Sequence, residues 1–97
     1  MKFEVAGREA FAATGGRPFD GTRPALLMLH GAGMDHTVWS LQSRYFAHHG
    51  FSVLAVDLPG HGRSAGPVPE TIPAFADWCV AALDAAGAGD VVVMGHS

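Results

Sequence analysis

Three short apolar runs constrain this chain more than anything else in it: Ala25-Leu26-Leu27-Met28-Leu29, Ser52-Val53-Leu54-Ala55-Val56 and Val91-Val92-Val93-Met94. Each is of strand length and lacks polar alternation, which predicts strands buried on both faces, as in a parallel sheet covered by helices. The segments between them are long enough for helices and carry start and stop signals. Between the first two runs, Val38, Leu41, Tyr45 and Phe46 fall near helical spacing, with Asp35 or Thr37 as N-cap and Gly50 as terminator. Between the second and third, Thr71 caps a helix that tolerates Pro73 in its first turn. Its apolar stripe is Phe75, Cys79, Ala82, Leu83 and Ala86, and Gly87 ends it. Strand, helix, strand, helix, strand is the pattern of an α/β fold: a mostly parallel sheet with right-handed crossovers and helices on both faces. Upstream, residues 2–6 and 9–14 flank Gly7-Arg8 and suit an antiparallel hairpin at the sheet edge. Residues 15–24, rich in Gly and Pro, form a loop.

Composition excludes several functions. Nine acidic and six basic residues are scattered without runs for a net charge of -3, so there is no electrostatic footprint for nucleic acid or an anionic membrane. No run approaches the roughly 18 apolar residues of a membrane helix, and a soluble, cytoplasmic chain is expected. The 97 residues suit one small globular unit. Cys79, the single cysteine, has no internal disulfide partner and is expected to be a buried structural thiol.

In a sheet of this kind functional loops gather at the carboxyl ends of the strands. Here those ends carry His30-Gly31-Ala32-Gly33, then the Pro- and Gly-rich loop Asp57-Leu58-Pro59-Gly60-His61-Gly62-Arg63-Ser64, then Gly95-His96-Ser97. All three are expected on one edge. Gly95-His96-Ser97 matches the first half of G-x-S-x-G, in which a tight strand-to-helix turn lifts a serine hydroxyl clear of the sheet.

Taken together, HGAG, DLPGHGRS and GHS resemble the α/β-hydrolase family, over about residues 25–97. The resemblance implies that Ser97 is the nucleophile and that Ala32, following the HG pair, gives a backbone N–H to the oxyanion hole. Family members that open epoxides or displace halide use a carboxylate nucleophile. Serine at 97 therefore implies the acyl-transfer branch: an esterase, thioesterase or carbon–carbon bond hydrolase acting on a small acyl substrate, with no cofactor. The family's acid and histidine follow the serine in chain order. Residues 1–97 accordingly read as the N-terminal part of a single domain, truncated at the nucleophile elbow. Alone, this part is expected to be inactive, to need the missing C-terminal half, and to self-associate through the apolar edge of its last strand.

The remaining polar residues are assigned to structure. His30, His61 and His96 sit in loop motifs that suit hydrogen bonds to turn backbone; His36 opens a helix, where it can face a pocket; His48 and His49 end that helix as solvated groups. Neither pair has metal-ligand spacing, so no metal is expected. Asp57 is assigned to holding the loop of residues 59–64, and Arg63 and Ser64 to stabilising its turns. Trp39, Trp78 and Met34 are assigned to the core. Two rival functions stand beside the hydrolase. Gly31-x-Gly33 and the distant Asp57 fit a dinucleotide-binding half in part, but His36 stands where that motif needs a third small residue. The other is a non-catalytic relative that keeps the hydrolase sheet to bind a ligand or partner.

Overall fold

The computed structural model describes residues 1–96. Its strands are β1 (Lys2–Val5), β2 (Arg8–Ala13), β3 (Ala25–Leu29), β4 (Ser52–Val56) and β5 (Val91–Gly95). A 3-10 turn, His36–Trp39, leads into α1 (Ser40–Ala47), and α2 (Ile72–Ala86) joins β4 to β5. The strands form one mixed sheet in the order β1-β2-β4-β3-β5. β3 runs parallel to β4 and to β5, while the β1–β2 hairpin adds antiparallel to β4. The hairpin turns on Ala6 and Gly7, both at positive φ as a type I′ turn requires, one residue earlier than Gly7-Arg8.

Chain reversal at β3 decides where the helices go. The path runs from β3 outward to β4 and then back across β3 to β5, so crossovers of one hand must pass over opposite faces. The core bears this out. Leu26 and Met28 of β3 and Val53 and Ala55 of β4 face α1, with Trp39, Phe46 and Ala47. Leu27 of β3 and Leu54 and Val56 of β4 face α2, with Phe75, Trp78, Cys79, Leu83 and Ala86. Leu27, Met28, Val53, Leu54 and Val56 are fully buried, each contributing about 1.5–3 kcal/mol relative to exposure.

The helix boundaries follow from the caps. The Oγ1 of Thr71 accepts from the N–H of Ala74, Pro73 lies in the first turn, and Gly87 closes α2 in the left-handed region. Asp35 rather than Thr37 caps the 3-10 turn. The N–H of Phe51 reaches back to the carbonyl of Phe46 across Gly50, a Schellman-type stop.

Beyond the hairpin turn, the structure departs from the sequence reading in the placement of α1, Met34 and β5. The inward side of α1 is Trp39, Ser43, Phe46 and Ala47, while Leu41 and Tyr45 are solvent-exposed. The loop before β3 explains the small residues there: a Cβ on Gly15 would lie 2.3 Å from the carbonyl oxygen of Ser43 and 2.7 Å from the Cβ of Ala47. Met34 is 40% exposed, because it follows the tight turn after β3 and precedes the first residue committed to the α1 layer. β5 is not buried on both faces: Val92 and Val93 are 54% and 58% exposed. It pairs with β3 alone among the described strands, and only Val91 and Met94 reach the two apolar clusters, each half-buried. Among the described residues no helix is long and apolar enough to cross a membrane.

Candidate active site

Register brings the three loops together. Leu29, the last residue of β3, pairs with Val56 at the end of β4 and with Gly95 at the end of β5. The next residues, His30, Asp57 and His96, therefore leave the sheet side by side. Because α1 and α2 depart from β3's neighbourhood on opposite faces, a crevice opens at this edge, as expected where a parallel sheet reverses its winding. The N–H of His96 bonds the carbonyl of Leu29 at 2.9 Å, carrying the ladder one residue past β5. A Cβ on Gly31 would lie 3.4 Å from the carbonyl oxygen of His96, so the HGAG loop passes directly beside His96. Ser97 itself lies outside the described residues.

The HGAG loop is a tight turn. Met34 donates its N–H to the carbonyl of Gly31 at 3.1 Å, and Gly33 sits at φ 78°, the third position of a type II turn. Ala32 occupies the second position. It is exposed, and its N–H makes no hydrogen bond among the described residues.

Asp57 organises the second loop. Its carboxylate is wholly buried: Oδ1 accepts from the backbone N–H of His36 at 2.7 Å and meets the His36 ring nitrogen Nδ1 at 2.9 Å, and Oδ2 accepts from the N–H of Arg63 at 2.9 Å. It holds the loop, as expected, and also ties it to the start of the 3-10 turn. His36 is thereby drawn to Asp57 and against Phe11, away from the apolar cavity described below. Asp35, His36 and Asp57 bring potential ligand atoms within 4.8 Å of one another. Both Asp57 oxygens already serve N–H donors, and one Asp35 oxygen accepts from the N–H and hydroxyl of Thr37, bonds that hold the Asp35 carboxyl below its usual range. A carboxylate so enclosed is also out of reach of a ribose, against the dinucleotide-binding reading. Ser64, buried, accepts from the N–H of Phe11 and so fastens the loop to β2, while the Arg63 guanidinium lies 4.9 Å from the centre of the Phe11 ring.

Between this edge and α2 lies an apolar cavity of about 450 Å³. Leu29, Gly31 and Ala32 line it from the first loop, Leu58 and His61 from the second, Phe75, Ala76 and Cys79 from α2, and Gly95 and His96 from the end of β5. Cys79 is half-buried on the cavity wall rather than buried in the core as expected, and desolvation pushes its thiol up, so it remains protonated and weakly nucleophilic. Trp39 is in the core with its ring perpendicular to that of His96, centroids 6.0 Å apart, and its indole N–H has no partner among the described residues. Trp78, on α2, is half-buried against the apolar residues of the sheet and hairpin. His48 and His49 are exposed at the end of α1, their Nδ1 atoms on the carbonyls of Arg44 and Tyr45.

Comparison with known proteins agrees with this fold. The model of the alpha/beta hydrolase family matches residues 26–97. An (E)-2-((N-methylformamido)methylene)succinate hydrolase of Acinetobacter baylyi is 34% identical over 73 residues, 74% of this chain and 27% of that protein. Lipase LipV of Mycobacterium tuberculosis is 40% identical over 74 residues, again 74% of this chain and 27% of the relative. The chain thus spans about a quarter of the length of these relatives. A CIB-like hydrolase from Thermoplasma acidophilum superposes with a TM-score of 0.83 at 25% identity, over 100% of this chain and 49% of that one.

Proposed function

The chain belongs to the alpha/beta hydrolase family, and from that premise we propose that it carries the nucleophile and the oxyanion loop of a serine hydrolase of acyl compounds. The bond cleaved is a carboxylic ester, a thioester or a carbon–carbon bond beside a carbonyl. The observation that supports this most strongly is the shared register of Leu29, Val56 and Gly95, which sets the HGAG turn against the segment leading into residue 97.

The chemistry follows from the residue types. The Ser97 hydroxyl attacks the substrate carbonyl carbon while a histidine takes its proton, and the carbonyl oxygen becomes an oxyanion. Ala32, with an N–H that no described residue occupies, stabilises that charge, and one such donor is worth about a hundred- to a thousandfold in rate. Collapse expels the leaving group with the proton from the histidine, and water then releases the acyl group by the same steps. The general base comes from beyond Ser97, with its orienting acid. Three of the four histidines at this edge are already engaged: His30 and His61 each use Nε2 to accept a backbone N–H, and His36 is held by Asp57; His96 lines the cavity, and its ring makes no hydrogen bond among the described residues, against the turn-bonding role expected for it. The apolar cavity beside Ala32 suits the hydrocarbon part of an acyl substrate.

The test uses the full-length protein and a fluorophosphonate probe. Labelling is expected at Ser97 and lost in Ser97→Ala. Labelling that survives the substitution rejects Ser97 as nucleophile, and a folded protein that neither labels nor turns over esters favours the non-catalytic, ligand-binding alternative.

A further inference from the structure

We propose that His61 is a positioning residue for the oxyanion loop, a role that rests on the serine hydrolase reading above and assigns a specific job to the second loop. The two loops hold each other by a crossed pair of bonds. His30, from the first loop, accepts the N–H of Leu58, in the second, on its Nε2 at 2.9 Å. His61, from the second loop, accepts the N–H of Gly33, in the first, on its Nε2 at 3.1 Å. The rings lie 5.0 Å apart, tilted by 52°.

Each tautomer is set by the other nitrogen. The Nδ1 of His61 lies 3.0 Å from the carbonyl of Pro59, which only accepts, so Nδ1 carries the proton and Nε2 presents its lone pair to Gly33. The backbone of His61 is anchored as well: its N–H reaches the carbonyl of Leu58 at 2.9 Å, and its carbonyl receives the N–H of Ser64 at 3.0 Å. Nε2 is therefore a fixed acceptor on a fixed loop.

What it fixes matters for the oxyanion. The Gly33 N–H belongs to the Ala32–Gly33 peptide, the central unit of the turn, and that unit is what flips when a type II turn becomes type I. With His61 accepting, the N–H orientation is selected. Without it, the flip places a carbonyl oxygen where the N–H was, and the turn that carries the Ala32 N–H loses the bond that ties it to the second loop. The donor on Ala32 then stays chemically intact, but the turn presenting it is no longer held in one place. Gly33 cannot be replaced to the same end, since its φ of 78° is the conformation the turn needs.

Two amide substitutions separate positioning from general support. His61→Gln extends a carbonyl oxygen to about the place of Nε2; His61→Asn reaches only the place of Nδ1, keeping a donor for Pro59 but no acceptor for Gly33. In the full-length enzyme with p-nitrophenyl butyrate, His61→Asn is expected to lower kcat about tenfold, more than it changes KM through the cavity wall that His61 also lines, the signature of an interaction made in the transition state. His61→Gln is expected to recover most of the rate. The Gly33 amide resonance, shifted by its bond to imidazole, is expected to move in His61→Asn by more than in His61→Gln. Equal kcat in the two variants, or loss expressed in KM alone, overturns the proposal while Ser97-dependent turnover leaves the hydrolase reading standing. Turnover that survives Ser97→Ala overturns both.

Discussion

Replacing Gly62 by alanine tests the claim that Asp57 holds the second loop, and its cost can be worked out from the structure. Gly62 sits at φ 51°, and a Cβ there would lie 2.3 Å from the Asp57 Oδ2, 2.4 Å from its Cγ and 2.7 Å from its Oδ1. The positive φ alone costs a non-glycine residue roughly 1 kcal/mol. Gly7 in the hairpin turn, at φ 78° with nothing within 4 Å of an added Cβ, isolates that term. The rest arises at the carboxylate, which is fully buried with no slack. To admit a methyl group it must retreat from the N–H of Arg63, the N–H of His36 or both, and each hydrogen bond to a charged group is worth about 1.5–3 kcal/mol. Gly62→Ala is therefore expected to destabilise the protein by about 2.5–4 kcal/mol if one of these bonds is lost and about 4–7 kcal/mol if both are, against about 1 kcal/mol for Gly7→Ala. Urea unfolding of the full-length protein, comparing midpoints at constant m, measures both. Equal losses for the two variants would refute the reasoning, since they would mean that the carboxylate moves without cost and Asp57 does not hold the loop.

Two further outcomes are expected. Ala32→Pro removes the proposed oxyanion donor at the second position of a type II turn, where proline is well accommodated; in the full-length enzyme it is expected to lower kcat by about a hundredfold or more, whereas Ala32→Ser keeps most activity, and equal rates exclude Ala32 as a donor. Residues 1–97 expressed alone are expected to show no ester turnover and to self-associate through β5, whose Val92 and Val93 stand exposed beside an unpaired edge; size-exclusion chromatography checks this, Val93→Lys is expected to reduce the association, and a monomer that unfolds cooperatively would contradict it.

Much of the fold was legible in the residues because strand and helix signals are local. Five unbroken apolar residues, a Thr cap three residues before the amide it serves, and a glycine closing each helix need no tertiary information, and β3, β4 and α2 lie where those signals put them. The convergence of HGAG, DLPGHGRS and GHS was likewise readable, since parallel strands place their carboxyl ends on one edge whatever their order. The turn-bonding roles of His30 and His61 and the loop-holding role of Asp57 followed from their settings in Pro- and Gly-rich loops. Their partners did not.

Tertiary structure decided the rest, through contacts between residues distant in sequence. The inward face of α1 was set by Gly15 pressing on Ser43 and Ala47, which requires small residues where periodicity alone favoured Leu41 and Tyr45. The exposure of β5 came from its place in the strand order: apolar content marks a strand for burial, but only a neighbour can bury it. At the site, His30 and His61 bond their own turns through Nδ1, as local sequence allows, but their Nε2 bonds cross to loops 28 residues away, which the parallel register of β3 and β4 brings within reach. Local sequence determines which groups hydrogen-bond through side chain to backbone; the packing of the sheet determines which backbone is within reach.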